Sequence, residues 1–263
     1  MTSRADPDFS GRTVWVTGGA SGQGASHVRR FAAAGAKVGC IDIDTGGMER
    51  VAAEVRSGGG VIETARADVS QWDQVAAAAD QFRRDLGDAS VVIANAGIVG
   101  DIEPIETVAP EAWSRVLDVN LTGAFHTVRA AIPQLRTHPN GAIVLVASAA
   151  SFFAFPRYAA YSASKAGMLG LLRAAANELG GDGIRVNAVC PGWVDTPMLD
   201  GEAEAAGLPR AQAVAGWVQE HILQRLITPD EVSDMVLWLA SDSARMVTGA
   251  AVPIDAGQLA HRP

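Results

Sequence analysis

The sequence predicts an α/β fold: a single domain built on a doubly wound parallel sheet of about seven strands, with helices on both faces. Three observations predict it. Short β-branched runs alternate with longer helix-like stretches through all 263 residues, the order that gives parallel strands and right-handed crossovers. The strand runs are almost continuously apolar, as strands covered on both faces must be. No repeat, low-complexity tract or Pro/Gly/Ser linker breaks the alternation, so nothing divides the chain.

The elements follow in order. Strands are expected at 13–16, 37–42, 61–67, 91–95, 142–147 and 184–190, and more weakly at 251–254. Helical stretches at 24–34, 46–56, 72–86, 110–131 and 158–179 each follow one of the first five strands. A sixth, at 229–240, precedes the last strand, with Thr228 placed to cap it and Pro229 at its first position. Residues 1–10 read as a polar tail ahead of a domain spanning 11–263. Sheets of this kind bind ligands beyond the carboxyl ends of their strands, so chemistry is expected just after each strand.

Composition narrows the function classes. At 48% apolar residues the chain is not disordered, and 21 basic against 29 acidic residues leave a net charge of −8. That charge argues against nucleic acid or an anionic membrane as partner. No apolar run approaches the ~18 residues of a membrane span, and the polar start lacks the apolar core of a secretory signal. The expected compartment is the cytoplasm. Cys40 and Cys190 are too few for a disulfide framework or zinc site and read as buried, reduced thiols. Five scattered histidines show no ligand spacing, so no metal is assigned. His27 reads as a surface or packing residue.

After the first strand comes Thr17-Gly18-Gly19-Ala20-Ser21-Gly22-Gln23-Gly24, leading into a helix. Glycines allow the tight turn and let backbone N–H groups approach a pyrophosphate, while the helix N-terminus adds partial positive charge. Strand before, helix after and an acid downstream raise this above a lone glycine pattern and give the sheet a Rossmann-like, dinucleotide-binding character. The acid is Asp42, at the end of the second strand. A carboxylate there accepts hydrogen bonds from ribose hydroxyls and repels a 2′-phosphate, which favours NAD over NADP.

Tyr161 and Lys165 stand at i and i+4 on a predicted helix and share one face. Lysine is scarce, only Lys37 and Lys165 among the 21 basic residues, and so is tyrosine, at Tyr158 and Tyr161. A phenol titrates near pH ~10 and is a poor base at neutrality unless a nearby cation stabilises its phenolate. An ammonium beside it makes proton exchange with a substrate oxygen feasible. Ser148, just past the fifth strand, can hydrogen-bond the same oxygen. Tyr158 has no lysine four residues on and reads as packing.

Taken together these residues resemble the short-chain dehydrogenase/reductase family, from about residue 11 to 258. The glycine turn is similar to its Thr-Gly-x-x-x-Gly-x-Gly pattern. Asp68-Val69 matches its adenine-contacting pair, Asn95-Ala96-Gly97 the motif closing its fourth strand, and Asn120 its helix-kinking asparagine. Ser148, Tyr161 and Lys165 complete its tetrad, and Pro191-Gly192 with Val194 and Thr196 resembles the segment that holds the nicotinamide carboxamide.

The resemblance implies Tyr161 as general acid/base, Lys165 lowering its pKa and binding the nicotinamide ribose, Ser148 polarising the substrate oxygen, and Asn120 holding a relay water. It also implies a homotetramer. The chain departs from the pattern at Gln23, where an aliphatic residue is usual, at Ala94 and at Asp255-Ala256-Gly257. Gly22-Gln23-Gly24 followed by Ser26 and His27 is also similar to a branch that retains its NAD and passes electrons to a peptide-derived cofactor, without that branch's additional segment.

The substrate wall is expected from Phe153 and Phe155 after Ser148, from Trp193, and from a lid at about 196–217 carrying Met198, Leu199 and Trp217. Such a wall favours an apolar secondary alcohol or its ketone, cyclic and terpene-, steroid- or aryl-like. Two alternatives stand beside this. A 3-oxoacyl-thioester reductase shares the motifs, although Asp42 and the negative charge argue against it, and a catalytically silent NAD-binding relative would keep the turn without turnover.

Overall fold

The structure, a computed structural model, describes residues 7–261. Seven parallel strands form one sheet in the order β3-β2-β1-β4-β5-β6-β7. They are β1 (Thr13–Thr17), β2 (Lys37–Asp42), β3 (Val61–Arg66), β4 (Val91–Ala94), β5 (Ala142–Val146), β6 (Arg185–Pro191) and β7 (Ala251–Ile254). The order reverses between β1 and β4, which pair in parallel with Val14 opposite Val91. A crevice therefore opens beyond their carboxyl ends.

The strands alternate by side-chain period between two cores. On one face Val14, Val16, Val144 and Val146 pack under α1 (Gly22–Ala33), α2 (Thr45–Ser57) and α9 (Pro229–Ala240). On the other, Trp15, Ile143 and Leu145 pack under α3 (Trp72–Leu86), α5 (Gly123–Leu135) and α6 (Ala159–Leu179). Gly39 lies under Phe82: a Cβ there would stand 2.5 Å from the ring, so only glycine lets α3 seat this closely on β2. Cys40 and Cys190 are buried free thiols, and burial pushes both up to about 12.

Several local expectations gain detail. Thr228 and Glu231 form a reciprocal capping box at the start of α9, with Pro229 in the first turn. The stretch expected as one helix at 110–131 is α4 (Pro110–Leu117), a π-helical turn (Asp118–Thr122) and α5, which carries Pro133 within it and continues to the buried Leu135. Segment 196–217 folds into two short helices, α7 (Pro197–Ala205) and α8 (Arg210–Trp217), and a final turn, α10 (Gln258–His261), follows β7. These helices are too short and too weakly two-sided for a periodic pattern to show. Of the stretch expected as a polar tail, residues 1–6 lie outside the described residues. Phe9 is fully buried, edge-on to Phe31 at 4.9 Å. Among the described residues no helix is long and apolar enough to cross a membrane.

A buried polar cluster joins α1 to α9. His27 Nδ1 lies 2.7 Å from Ser233 Oγ, and the Ser26 hydroxyl lies 2.6 Å from Asp230 Oδ1 and 2.7 Å from Ser233 Oγ. His27 is fully buried, and desolvation pushes its imidazole down to about 3 against the smaller opposing pull of Asp230. The folded chain thus holds His27 neutral while an unfolded chain would protonate it below about 6.5. Its contribution to stability is complete above that pH and is lost progressively as pH falls toward 3. Thermal unfolding followed by circular dichroism should show a smaller acid loss in His27→Asn than in wild type between pH 6.5 and 4. Identical slopes would remove His27 from this role.

Candidate active site

The site grows from the ends of β1 and β4. Thr17 is buried, and its Oγ1 accepts hydrogen bonds from the N–H groups of Asn95 (3.0 Å) and Ala96 (3.2 Å). Asn95 Nδ2 donates to the carbonyls of Thr17 (2.9 Å) and Gly18 (3.2 Å). This clasp holds the glycine turn. Gly18 and Gly22 both take the left-handed conformation (φ +68° and +52°), and a Cβ on Gly24 would lie 1.9 Å from the Gly18 carbonyl oxygen. Ser21 caps α1 without a side-chain hydrogen bond, leaving the first N–H groups of the helix directed at the crevice. At the other end of the turn Asp42 accepts from Ala20 N (2.9 Å) and Asp44 N (3.0 Å).

Beyond the strands lies a groove of about 740 Å³, within the range of ligand sites. It brings together the predicted Gly18, Ser21, Gly22, Gln23, Gly24, Asp42, Asp68, Val69, Asn95, Ala96, Gly97, Tyr161, Lys165 and Thr196. The residues fit a nicotinamide dinucleotide: an uncapped helix start for a pyrophosphate, a carboxylate placed for a ribose, and one orphan. Gln23 Oε1 is buried without a partner and its residue borders both this groove and the adjoining cavity. A buried acceptor left unpaired costs on the order of 1–3 kcal/mol, and a donor brought by a ligand would relieve it.

Helix α6 sets Tyr161 beside Ser148, which lies one residue past the alanine that follows β5. Ser148 Oγ accepts from Ala150 N at 3.1 Å, so its own hydrogen remains for a partner. Lys165 Nζ donates to the Val146 carbonyl at 2.9 Å and stands 5.7 Å from the Tyr161 ring centre. Burial pushes the Tyr161 phenol up to about 12, opposed by its hydrogen bond with Ser148 and reinforced by the charge of Glu202. The same burial pushes the Lys165 ammonium down to about 8. Both groups sit in low dielectric, where each charged form is disfavoured.

Asn120 is fully buried in the π turn and lines neither space. Its Oδ1 accepts from Ile98 N (2.8 Å), and its Nδ2 donates to Ile98 O (2.9 Å) and Ser164 Oγ (3.0 Å). Ser164 in turn donates to the Tyr161 carbonyl at 2.7 Å. Both donors of the Asn120 amide are thereby spent on Ile98 and Ser164, which ties the π turn to α6.

A second cavity, about 70 Å³, adjoins the groove; Gln23, Tyr161, Thr196 and Met198 border both. Ser148, Phe155, Pro191, Gly192, Trp193, Val194 and Leu199 complete much of its wall. Phe153 and Trp217 stand one ring behind. Phe153 packs edge-on to Phe155 at 4.9 Å, and Trp217 stacks on Trp193 at 4.9 Å and 16°. Sequence reasoning missed Tyr158 and Glu202. Tyr158 donates from its hydroxyl to Glu202 Oε2 at 2.7 Å, and both border the cavity. The scarcity of tyrosine was a signal for the first; nothing in a short lid helix marked the second.

The fold and the groove define a class, the Rossmann-type nucleotide-dependent oxidoreductases, and similarity to known proteins narrows it. A family model described as enoyl-(acyl carrier protein) reductase matches residues 18–258. The cis-4-hydroxycyclohexanecarboxylate dehydrogenase of Sinomonas cyclohexanicum is 38% identical, over 96% of this chain and 98% of that protein. A 3-alpha-(or 20-beta)-hydroxysteroid dehydrogenase of Mycobacterium bovis is also 38% identical, over 95% and 90%. Among solved structures, carveol dehydrogenase from Mycobacterium avium in complex with NAD superposes with a TM-score of 0.92 at 33% identity, covering 97% of this chain and 99% of that one. The chain belongs to the short-chain dehydrogenase/reductase family.

The clasp yields a test. Thr17→Val keeps the shape but removes the acceptor of two part-buried N–H groups, so the chain should lose about 1–3 kcal/mol of stability, read as a shift of the urea midpoint. A shift under about 0.5 kcal/mol would contradict the clasp's importance.

Proposed function

We propose that this chain is an NAD(H)-dependent dehydrogenase that interconverts a ring-borne secondary alcohol and its ketone, with Tyr161 as general acid/base. The observation that carries the reading is the convergence of Tyr161, Ser148 and Lys165 where the groove meets the small cavity. A nicotinamide cofactor, when bound, supplies the acceptor or donor of hydride. The chain's own residues handle the proton and the geometry. Ser148, pinned by Ala150 N, donates its hydroxyl hydrogen toward the substrate oxygen. Tyr161 takes the alcohol's proton or returns it to the ketone. Lys165, placed by the Val146 carbonyl on the groove wall, would hold the cofactor's ribose, and Asn120 ties the π turn to the helix that carries Tyr161 and Lys165.

Asp42 supports NAD over NADP: its carboxylate stands at the end of β2 on the groove wall, where a 2′-phosphate would meet it. The same residue speaks against the 3-oxoacyl-thioester reductase reading. Three of the relatives support a ring substrate by name, the hydroxycyclohexanecarboxylate, hydroxysteroid and carveol dehydrogenases. The cavity of about 70 Å³ favours one compact ring while α7 and α8 lie as they do. A homotetramer is supported by Phe125 and Trp113, exposed on α5 and α4, and by the open face of α6 around Gly170. Sedimentation should give four times the chain mass; a monomer would refute it.

Oxidation of secondary alcohols followed by NADH absorbance tests the whole reading. NAD⁺ should support turnover and NADP⁺ should not. The proton-accepting form of Tyr161 is the phenolate, so oxidation should quicken as pH rises from 7 and ketone reduction should slow. Tyr161→Phe should lose roughly 10²–10⁴-fold in kcat while binding NADH, by fluorescence titration, as wild type does. Undiminished turnover in Tyr161→Phe would overturn the mechanism, and preference for NADPH would return the thioester-reductase reading.

A further inference from the structure

The cavity wall that the aromatic residues build is interrupted by one acid. Glu202, on lid helix α7, is only 6% exposed and borders the cavity beside Tyr158. Its Oε2 accepts one hydrogen bond, from the Tyr158 hydroxyl, and no other hydrogen bond or ion pair reaches its carboxyl among the described residues. A carboxyl so buried with one neutral partner carries a desolvation cost that a further donor would offset. Burial raises it to about 7. A second acid, Glu220, stands behind the same wall and accepts from Gln258 Nε2 at 2.8 Å. No arginine, lysine or histidine borders the cavity among the described residues.

We propose that Glu202 is a specificity-determining residue, selecting ring alcohols that carry a second hydrogen-bond donor, hydroxyl or ammonium, and rejecting those that carry a carboxylate. The proposal rests on the reading of this site as an alcohol dehydrogenase and deepens it by naming the substrate class. Apolar walls at Phe155, Trp193 and Leu199 hold the ring, and Glu202 meets its substituent from the lid side. A donor satisfies the open capacity of the carboxyl in either protonation state, because a carboxylic acid retains its carbonyl acceptor. An acid on the substrate finds no counter-ion and faces a like charge, which specificity by repulsion requires. Ammonium has the added attraction of the aromatic rings around the carboxyl.

Initial rates with NAD⁺ on four compounds test it: cyclohexanol, cyclohexane-1,4-diol, 4-aminocyclohexanol and 4-hydroxycyclohexanecarboxylate. In wild type the diol or the amino alcohol should exceed cyclohexanol about tenfold in kcat/KM, and the acid should fall below it by a similar factor. If only the amino alcohol gains, the donor is the ammonium; if both gain, it is any donor. Glu202→Gln should raise the acid about tenfold relative to cyclohexanol and lower the amino alcohol, and Glu202→Leu should erase the preference for both donors. A merely structural role would depress all four compounds together and leave their ratios unchanged, which would overturn the proposal. So would a wild type that oxidises the acid better than cyclohexanol, a result that needs no variant. Failure to oxidise any of the four would instead sink the alcohol-dehydrogenase reading and this proposal with it.

Discussion

Thr17 ends β1 and Asn95 directly follows β4, the two strands between which the sheet reverses its order, and the hydrogen bonds they exchange hold the crevice in register. Thr17 Oγ1 takes two backbone N–H groups from the β4 side, and Asn95 returns its amide to two carbonyls on the β1 side. With all four bonds in place the glycine turn has one position relative to β4. The start of α1, the left-handed glycines and the Asp42 carboxylate follow from it. Parallel strands leave their last backbone groups unpaired at the crevice, and here the chain satisfies part of that need itself while leaving the helix start open.

The same economy of polar groups shapes the surroundings of α6. Ser148, Ser164, Asn120 and Lys165 each have a backbone or hydroxyl partner, so α6 is fixed against β5 and the π turn. Burial then works on the two titratable groups in opposite directions, raising the phenol and depressing the amine. Each is poised nearer its neutral form than it would be in water. Positive charge arriving in the groove would favour the phenolate and so oppose the effect of burial on Tyr161.

Segment 196–217 packs against the loops that follow β5 and β6. Trp217 stacks on Trp193, Phe153 backs Phe155, and Glu202 reaches under Tyr158. These contacts tie α7 and α8 to the ends of β5 and β6. They leave a small space in which Glu202 is the one acid among the described lining residues.

Strict alternation of apolar runs and helical stretches determined the sheet, its parallel strands and the place of the site, because each side-chain period commits a segment to one kind of element before any partner is chosen. Spacing alone also exposed the glycine turn, Asp42 and the Tyr161–Lys165 pair, since residues close in sequence on one helix or turn are close in space. Tertiary structure alone decided what depended on distant segments meeting. Phe9 lies against Phe31, Asn120 is hydrogen-bonded to Ile98 and Ser164, and Glu202 is brought to Tyr158 across 44 positions. Burial, and with it the direction in which Tyr161, Lys165 and Glu202 are driven, is a property of everything packed around a group. No local pattern holds that information.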